Sequence, residues 1–134
     1  MTALLPAWNA AQFIQPTLDC LSAQTHPGLR VIVSVDLCED GTAEICEAHA
    51  ARDARFRVVR QERRLGYVGN CNALLALADS EHALFAFHDD LLAPAYVARL
   101  SAALDASPGA VLAFSEMLLT HADGRRQRPL FTEL

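Results

Sequence analysis

The sequence predicts an α/β domain in which a mostly parallel sheet is covered by helices on both faces. Short apolar runs alternate with stretches of helical periodicity, and a polar break separates each run from the next stretch. Several runs are rich in β-branched residues, as buried strands usually are. Strands that alternate with helices form βαβ units with parallel neighbours. The 134 residues fit a single domain, 1–134.

The first half of the chain supplies three predicted strands and two predicted helices. The strands are "TALLPA" (2–7), "LRVIVSV" (29–35) and "RFRVVR" (55–60). Apolar residues recur at spacings of four and three within 13–24, which predicts a helix with Pro16 near its first turn. A second helix is expected over 39–53, opening near Asp40 or Thr42, where carboxylates complement the helix dipole.

The second half continues the same alternation. The predicted elements are a loop over 65–69, a helix over 70–80, a strand "HALFAF" (82–87), a helix near Pro94, a fifth strand "AVLAFSEMLL" (110–119) and a turn over 121–126. The Asp-Gly pair of that turn suits a hairpin. Apolar residues within 111–119 and 130–134 would form an exposed surface, from which we expect a homo-oligomer.

The composition argues against several classes of protein. Hydrophobic residues make up 52% and charged residues 20%, as in a globular domain, and no apolar stretch approaches the roughly 20 residues of a membrane span. Arginines cluster over 52–64, but a net charge of −5 argues against a nucleic-acid partner. The four cysteines show no C-x-x-C spacing, which favours reduced thiols and a cytoplasmic location.

Polar side chains and one aromatic ring follow the predicted strands. In an open parallel sheet, ligands bind beyond the carboxyl ends of the strands, near a switch in strand order. The residues there are Pro6, Ala7, Trp8 and Asn9 after the first strand, Asp36 after the second, Arg63, Arg64 and Gly66 after the third, and His88, Asp89 and Asp90 after the fourth. We therefore expect a ligand site at this edge.

Asp89 and Asp90 are the most informative pair at that edge. Adjacent carboxylates repel each other, and a divalent cation such as Mg²⁺ or Mn²⁺ relieves the repulsion while binding phosphate and water oxygens. The alternative is that one Asp caps the helix near Pro94, although a single Asp would suffice for that. His88 could contact the metal or a phosphate, or could be a hydrogen-bonded structural imidazole.

Three further features allow two interpretations each. Trp8 could stack on a nucleobase or belong to the core, and Asp36 could accept a hydrogen bond from a base N–H or serve as a turn or cap. The segment "LGYVGN" (65–70) is a weak phosphate-loop signal. It lacks the full dinucleotide fingerprint, and no G-x-G-x-x-G follows the first strand, which argues against a nicotinamide-dependent oxidoreductase.

Five segments in order resemble the inverting family 2 glycosyltransferases of the GT-A fold. They are "PAWNAAQFI", "LSAQTHPGLRVIVSVD", "EDGTAEI", "ERRLGYVGNCNALLALA" and "FAFHDDLLAP", and they fall within residues 4–115. The resemblance implies a Rossmann-like nucleotide-diphospho-sugar fold. Phe87 departs from the pattern, because it stands where the family's acidic motif has a further Asp, and Cys71 stands where many members have Arg.

The resemblance also implies a set of site residues. It assigns nucleotide binding to Pro6, Ala7, Trp8, Asn9, Asp36, Gly66, Asn72 and Asp89, and metal binding to Asp89 and Asp90. Trp8 would stack on the base, Asp36 would hydrogen-bond its edge, and Mg²⁺ or Mn²⁺ would bridge the diphosphate. The donor implied first is a UDP-sugar.

The resemblance further implies an acceptor-binding half with an Asp or Glu general base that deprotonates the attacking hydroxyl. We expect that half to be lacking here, and no motif marks a base, Glu116 included, so no catalytic residue is assigned. The sequence thus predicts a glycosyltransferase domain. The alternative is a non-catalytic nucleotide-sugar-binding or assembly module with the same fold.

Overall fold

A four-stranded parallel sheet forms the centre of the protein, whose computed structural model describes residues 1–119 and Arg125. The strands are β1 (Thr2–Ala7), β2 (Arg30–Val35), β3 (Phe56–Arg60) and β4 (Ala83–Phe85). Their order is β3-β2-β1-β4, and all neighbours are parallel. The strands are therefore added outward from β1 on one side and then on the other, so the order switches between β1 and β4.

Within the described residues, four helices accompany the strands. They are α1 (Ile14–Ser22), α2 (Thr42–Ala50), α3 (Gly66–Leu77) and α4 (Tyr96–Asp105). Alternate residues of a strand face opposite sides of its sheet. Leu5 of β1 accordingly clusters with Ile14 of α1 and Cys46 of α2, whereas Leu4 clusters with Leu74 of α3. The predicted parallel sheet with helices on both faces is confirmed.

Strand β1 is buried along its whole length. It lies between β2 and β4 and is covered by side chains on both faces, which is why its sequence is a nearly continuous apolar run. Leu4 and Leu5 are fully shielded from solvent, and burial of each contributes roughly 2 kcal/mol. This rigid strand fixes the position of the loop that follows Ala7.

Two predicted elements are wrong. Helix α3 begins at Gly66, so most of the residues 65–69, predicted as a loop, are helical. The residues 110–119, predicted as a fifth strand, form no strand, and Val111 and Phe114 are exposed. Strand propensity mainly records how well a side chain packs on a half-buried pleated surface, so exposed β-branched and aromatic residues gain little from it.

The chain divides into two units, Met1–Ala98 and Arg99–Leu134, and the first contains the sheet with α1, α2 and α3. The residues 130–134 and, apart from Arg125, the predicted turn over 121–126 lie outside the described residues. All four cysteines are free thiols. No helix within the described ranges is long and apolar enough to cross a membrane.

Candidate functional site

A cavity of about 430 Å³ opens at the carboxyl ends of the strands, at the switch in strand order. Its lining residues are Pro6, Ala7, Trp8, Asp36, Arg64, Gly66, Tyr67, Asn70, Phe87, His88 and Asp89. The structure thus brings together six predicted binding residues: Pro6, Ala7, Trp8, Asp36, Gly66 and Asp89. It does not bring Asn9, Asn72 or Asp90 into the lining.

The Asp36 carboxylate is the most tightly held group of the cavity. Its Oδ1 accepts the backbone N–H groups of Leu37 (2.9 Å) and Leu65 (2.8 Å), and its Oδ2 accepts that of Gly66 (2.8 Å). Burial by itself raises the pKa of this carboxyl, but the backbone donors and the charge of Arg64 outweigh burial and lower the pKa below its ordinary value. Asp36 is therefore ionised.

The same hydrogen bonds explain where α3 begins. The first N–H groups of a helix have no partner inside the helix. Asp36 accepts those of Leu65 and Gly66, and its negative charge complements the N-terminal end of the helix dipole. Gly66 has a φ of 72°, a left-handed conformation that glycine adopts without steric cost. The capping group of α3 thus belongs to the residue that follows β2, far upstream in the sequence.

Arg64 covers both Trp8 and Asp36. Its guanidinium carbon lies 3.6 Å from the centroid of the Trp8 ring, and its Nε donates to Asp36 Oδ2 at 3.1 Å. Trp8 remains 40% exposed, so its ring lines the cavity instead of filling the core. Asn9, the next residue, has a φ of 48°, a left-handed conformation that Asn tolerates, and its side chain does not line the cavity.

The start of α2 holds the loop that carries Trp8. The N–H of Ala10 donates to the Thr42 hydroxyl at 2.8 Å, and the N–H of Ala11 donates to the Asp40 carboxylate at 3.0 Å. Burial raises the pKa of Asp40, but the hydrogen bonds from Thr42 and Ala11 dominate and lower it to about 2. The Asp-Gly-Thr segment is therefore a clamp on the aromatic loop.

The turn after β4 carries Asp89 and Asp90. The N–H of Asp90 donates to the carbonyl of Phe87 at 3.1 Å, and the hydroxyl of buried Thr17 lies 3.0 Å from the carbonyl oxygens of His88 and Asp90. Neither carboxylate has a hydrogen bond or ion pair with another described residue. Partial burial and then the charge of Asp89 raise the pKa of Asp90, although the residue is exposed overall and His88 opposes the shift.

These two carboxylates fit a divalent cation only together with other oxygen ligands. In the part of the chain that the structure describes, no group of three or more His, Cys, Asp or Glu side chains is placed to hold a metal. Mg²⁺ is usually bound through one or two carboxylates plus phosphate and water oxygens. Asp89 and Asp90 therefore suit a cation that binds together with a phosphate-bearing ligand.

Asn70 is a buried polar residue of the cavity that sequence reasoning missed. Its amide nitrogen donates to the Ser34 carbonyl at 2.9 Å, and its Oδ1 accepts from the Ser34 hydroxyl at 2.5 Å. Asn72 is exposed instead, because two positions along a helix turn a side chain to a different face. The spacing of four between Asn70 and the buried Leu74 indicates which face of α3 is buried.

Tyr67 and Phe87 form an apolar wall of the cavity. Their ring centroids lie 5.9 Å apart, and Phe85 stacks on Phe87 at the same distance with an interplanar angle of 4°. Phe87 thus brings an aromatic ring to the position of the expected further Asp. Among residues 86–92 the acidic side chains are consequently those of Asp89 and Asp90.

Comparisons with known proteins agree on one family. The family model described as Glycosyl transferase family 2 matches residues 2–124. Glycosyltransferase GlyG of Streptococcus pneumoniae is 25% identical over 92 residues, which are 69% of this chain and 31% of that relative. The chain thus spans about a third of the length of this curated relative.

Solved structures with ligands share the fold. S. aureus TarS in complex with UDP-GlcNAc superposes with a TM-score of 0.72 and 26% identity, covering 78% of this chain and 31% of that one. The mannosyltransferase PcManGT from Pyrobaculum calidifontis, in complex with GDP-Man and Mn²⁺, gives a TM-score of 0.63 and 26% identity, covering 67% of this chain and 27% of that one.

Proposed function

The chain belongs to glycosyl transferase family 2 and has the GT-A fold, and from this premise we propose that it binds a nucleotide-diphospho-sugar for inverting transfer of the sugar to an acceptor. The observation that carries the proposal is the convergence of Trp8, Asp36 and Asp89 on one cavity at the switch in strand order. An aromatic face and a fixed hydrogen-bond acceptor suit a base, and a carboxylate that no described residue pairs with suits a divalent cation that accompanies a diphosphate.

The base end of the ligand lies, in this proposal, against Trp8 and Asp36. Base–aromatic stacking is worth about 1–3 kcal/mol, and a carboxylate acceptor favours bases with a ring N–H. Uracil has such an N–H, and TarS, a neighbour in fold, was solved with UDP-GlcNAc. We therefore propose a UDP-sugar as the donor. In this proposal the nucleotide also contacts Pro6, Ala7 and Gly66, which line the cavity.

The diphosphate end lies beside Asp89 and Asp90, which we propose as carboxylate ligands of Mg²⁺ or Mn²⁺. PcManGT, another neighbour in fold, was solved with GDP-Man and Mn²⁺. When bound, a divalent cation stabilises the negative charge that develops on the diphosphate as the sugar leaves. The protein's contribution is to hold two carboxylates that no described residue pairs with, so that a cation is favoured there.

In inverting transfer, the acceptor hydroxyl attacks the anomeric carbon from the face opposite the diphosphate. The new carbon–oxygen bond forms as the bond to the leaving phosphate oxygen breaks, and the hydroxyl proton passes to a general base. We assign that base to no described residue. The rings of Tyr67 and Phe87 line the same cavity.

Calorimetric titration with UDP, in the presence and absence of Mn²⁺, tests the donor site. We expect binding that Mn²⁺ strengthens, and Trp8→Ala should weaken it by about 1–3 kcal/mol, or roughly five- to 150-fold. Phe13→Ala is the matched control, because Phe13 is an exposed aromatic residue that does not line the cavity. No binding of UDP, GDP or TDP under either condition would contradict the proposal.

A second assay separates the enzyme from a non-catalytic module with the same fold. A transferase domain hydrolyses or transfers the sugar of a nucleotide-diphospho-sugar, whereas a binding or assembly module does neither. Release of UDP from UDP-sugars, followed over hours with Mn²⁺ present, distinguishes them. The cytoplasmic location and the homo-oligomer stay predictions.

A further inference from the structure

One guanidinium group occupies both of the surfaces proposed for base recognition. Arg64 lies over the Trp8 ring, with its guanidinium carbon 3.6 Å from the ring centroid. Its Nε donates in the same conformation to Asp36 Oδ2 at 3.1 Å. A base that stacked on this face of Trp8 and bonded to Asp36 would occupy the space that Arg64 fills.

The hydrogen bonds of Asp36 show that no acceptor position is left over. A carboxylate accepts about four hydrogen bonds on its two oxygens. Oδ1 accepts from Leu37 and Leu65, and Oδ2 accepts from Gly66 and Arg64. The first three donors are backbone N–H groups fixed by the strand end and by the start of α3. The fourth belongs to a side chain that is 48% exposed and can leave by changing rotamer.

We propose that Arg64 is a placeholder for the nucleobase, which must leave both Trp8 and Asp36 before a base can bind. This inference rests on the proposed nucleotide site. A guanidinium resembles a uracil ring in two relevant features: both are planar, with a face that stacks, and both carry an in-plane N–H that a carboxylate accepts. The base N–H replaces that of Arg64, so Asp36 keeps four donors in both states.

Displacement of Arg64 opposes nucleoside binding. A cation–π contact at a partly exposed site, together with one charge-assisted hydrogen bond, corresponds to an affinity difference of about three- to tenfold. Removal of the side chain should therefore tighten the binding of uridine by about that factor. Uridine is the appropriate probe because it lacks phosphate, so attraction between the displaced cation and a diphosphate does not enter the measurement.

Trp8 is the only tryptophan of the chain, so its fluorescence reports on both partners of its ring. In the free protein, Arg64→Ala should shift the emission to longer wavelength because the ring gains contact with water. Titration with uridine should then show binding about three- to tenfold tighter than that of the wild type, with Arg64→Lys in between. Arg63→Ala, a neighbouring exposed arginine outside the cavity lining, should change neither quantity.

The outcomes separate this inference from the proposed function. If wild-type protein binds UDP but Arg64→Ala binds uridine no better than wild type, the inference about Arg64 is overturned and the proposed nucleotide site stands. Weaker uridine binding by the variant overturns it as well, since Arg64 would then contact the bound base. If neither wild type nor variants bind UDP, both proposals fail. Thermal melting confirms that each variant is folded, and Arg64→Lys carries the test should Arg64→Ala not fold.

Discussion

Asp36, after β2, and the pair Asp89 and Asp90, after β4, lie at the same edge of the sheet in opposite electrostatic situations. The Asp36 side chain is 2% exposed, accepts four hydrogen bonds and has a lowered pKa. Asp89 and Asp90 are exposed and have no hydrogen bond or ion pair with any other described residue, and the pKa of Asp90 is raised. Carboxylates at the same edge of the sheet thus lie in two different environments.

Asp36 therefore has a structural role at this edge, whereas Asp89 and Asp90 are available to bind a ligand. Asp36 has its charge compensated from within the fold, so it can orient neighbouring atoms without attracting further cations. Asp89 and Asp90 carry charge that the described residues do not compensate, and a divalent cation with phosphate oxygens would remove that repulsion. The edge therefore combines a rigid end with an end that is completed only by a ligand.

The largest effect is expected when the rigid end is broken. Asp36→Asn keeps the shape of the side chain but turns one acceptor oxygen into an N–H donor that faces other donors. A buried, hydrogen-bonded charge lost from such a network typically costs about 3 kcal/mol. We expect the free energy of unfolding, measured in urea, to fall by about that amount, and UDP binding to be lost with it.

Asp89→Asn is the matched control for this variant. It makes the same chemical change at the same edge, but no hydrogen bond from a described residue is broken. Its free energy of unfolding should stay within about 0.5 kcal/mol of wild type. Equal destabilisation by both variants would mean that the two ends do not differ as described.

The strands and the edge itself were predictable from the sequence, because their signals are local. β1 and β2 are buried parallel strands that appear as nearly continuous apolar runs, β3 is an edge strand in which exposed Arg57 and Arg60 interrupt the apolar residues, and polar residues follow each of them where a ligand would bind. Trp8, Asp36 and Asp89 converge on one cavity for this reason. The side chains of β1 alternate between the two faces of the sheet and all are buried, so both faces must be covered.

The remaining features depend on partners that are distant in sequence. Helix α3 begins at Gly66 because Asp36 caps it, and the N-cap residue Leu65 has no side chain that could do so. The contact between Arg64 and Trp8 likewise depends on how the ends of β1 and β3 lie relative to each other. The family motif points to Asn72, whereas helical geometry turns Asn70 towards β2.

An intermediate effect is expected when the open end is neutralised. Asp89→Asn combined with Asp90→Asn removes the two proposed ligands, and loss of even a hydrogen-bond partner of a ligand lowers metal affinity by about ten- to a hundredfold. UDP affinity in Mn²⁺ should therefore fall by at least about tenfold, while affinity without metal should hold or rise slightly as repulsion of the diphosphate is removed. Calorimetry with and without Mn²⁺ gives both numbers.

Glu44→Gln combined with Glu47→Gln controls for the change in net charge. Both residues lie on α2 outside the cavity lining, so this double variant should keep the full effect of Mn²⁺ on UDP binding. An unchanged effect of Mn²⁺ in the Asp89 and Asp90 double variant would show that the cation, if it acts, is held by other groups.

The smallest effect is expected at a carboxylate pair that already has its cation. Arg60 donates to Glu47 at 2.6 Å and to Glu44 at 3.1 Å on the exposed surface of β3 and α2. Exposed ion pairs contribute little because water screens them, so Arg60→Gln should lower the melting temperature by about two degrees or less, and by less still in high salt.

The variant leaves Glu44 and Glu47 without their partner, as at Asp89 and Asp90, but neither glutamate lines the cavity. Mn²⁺ should not stabilise it, since no ligand phosphate is brought there to complete the coordination. Stabilisation of Arg60→Gln by Mn²⁺, measured by thermal melting, would mean that an unpaired carboxylate pair suffices and that its place beside the cavity contributes nothing.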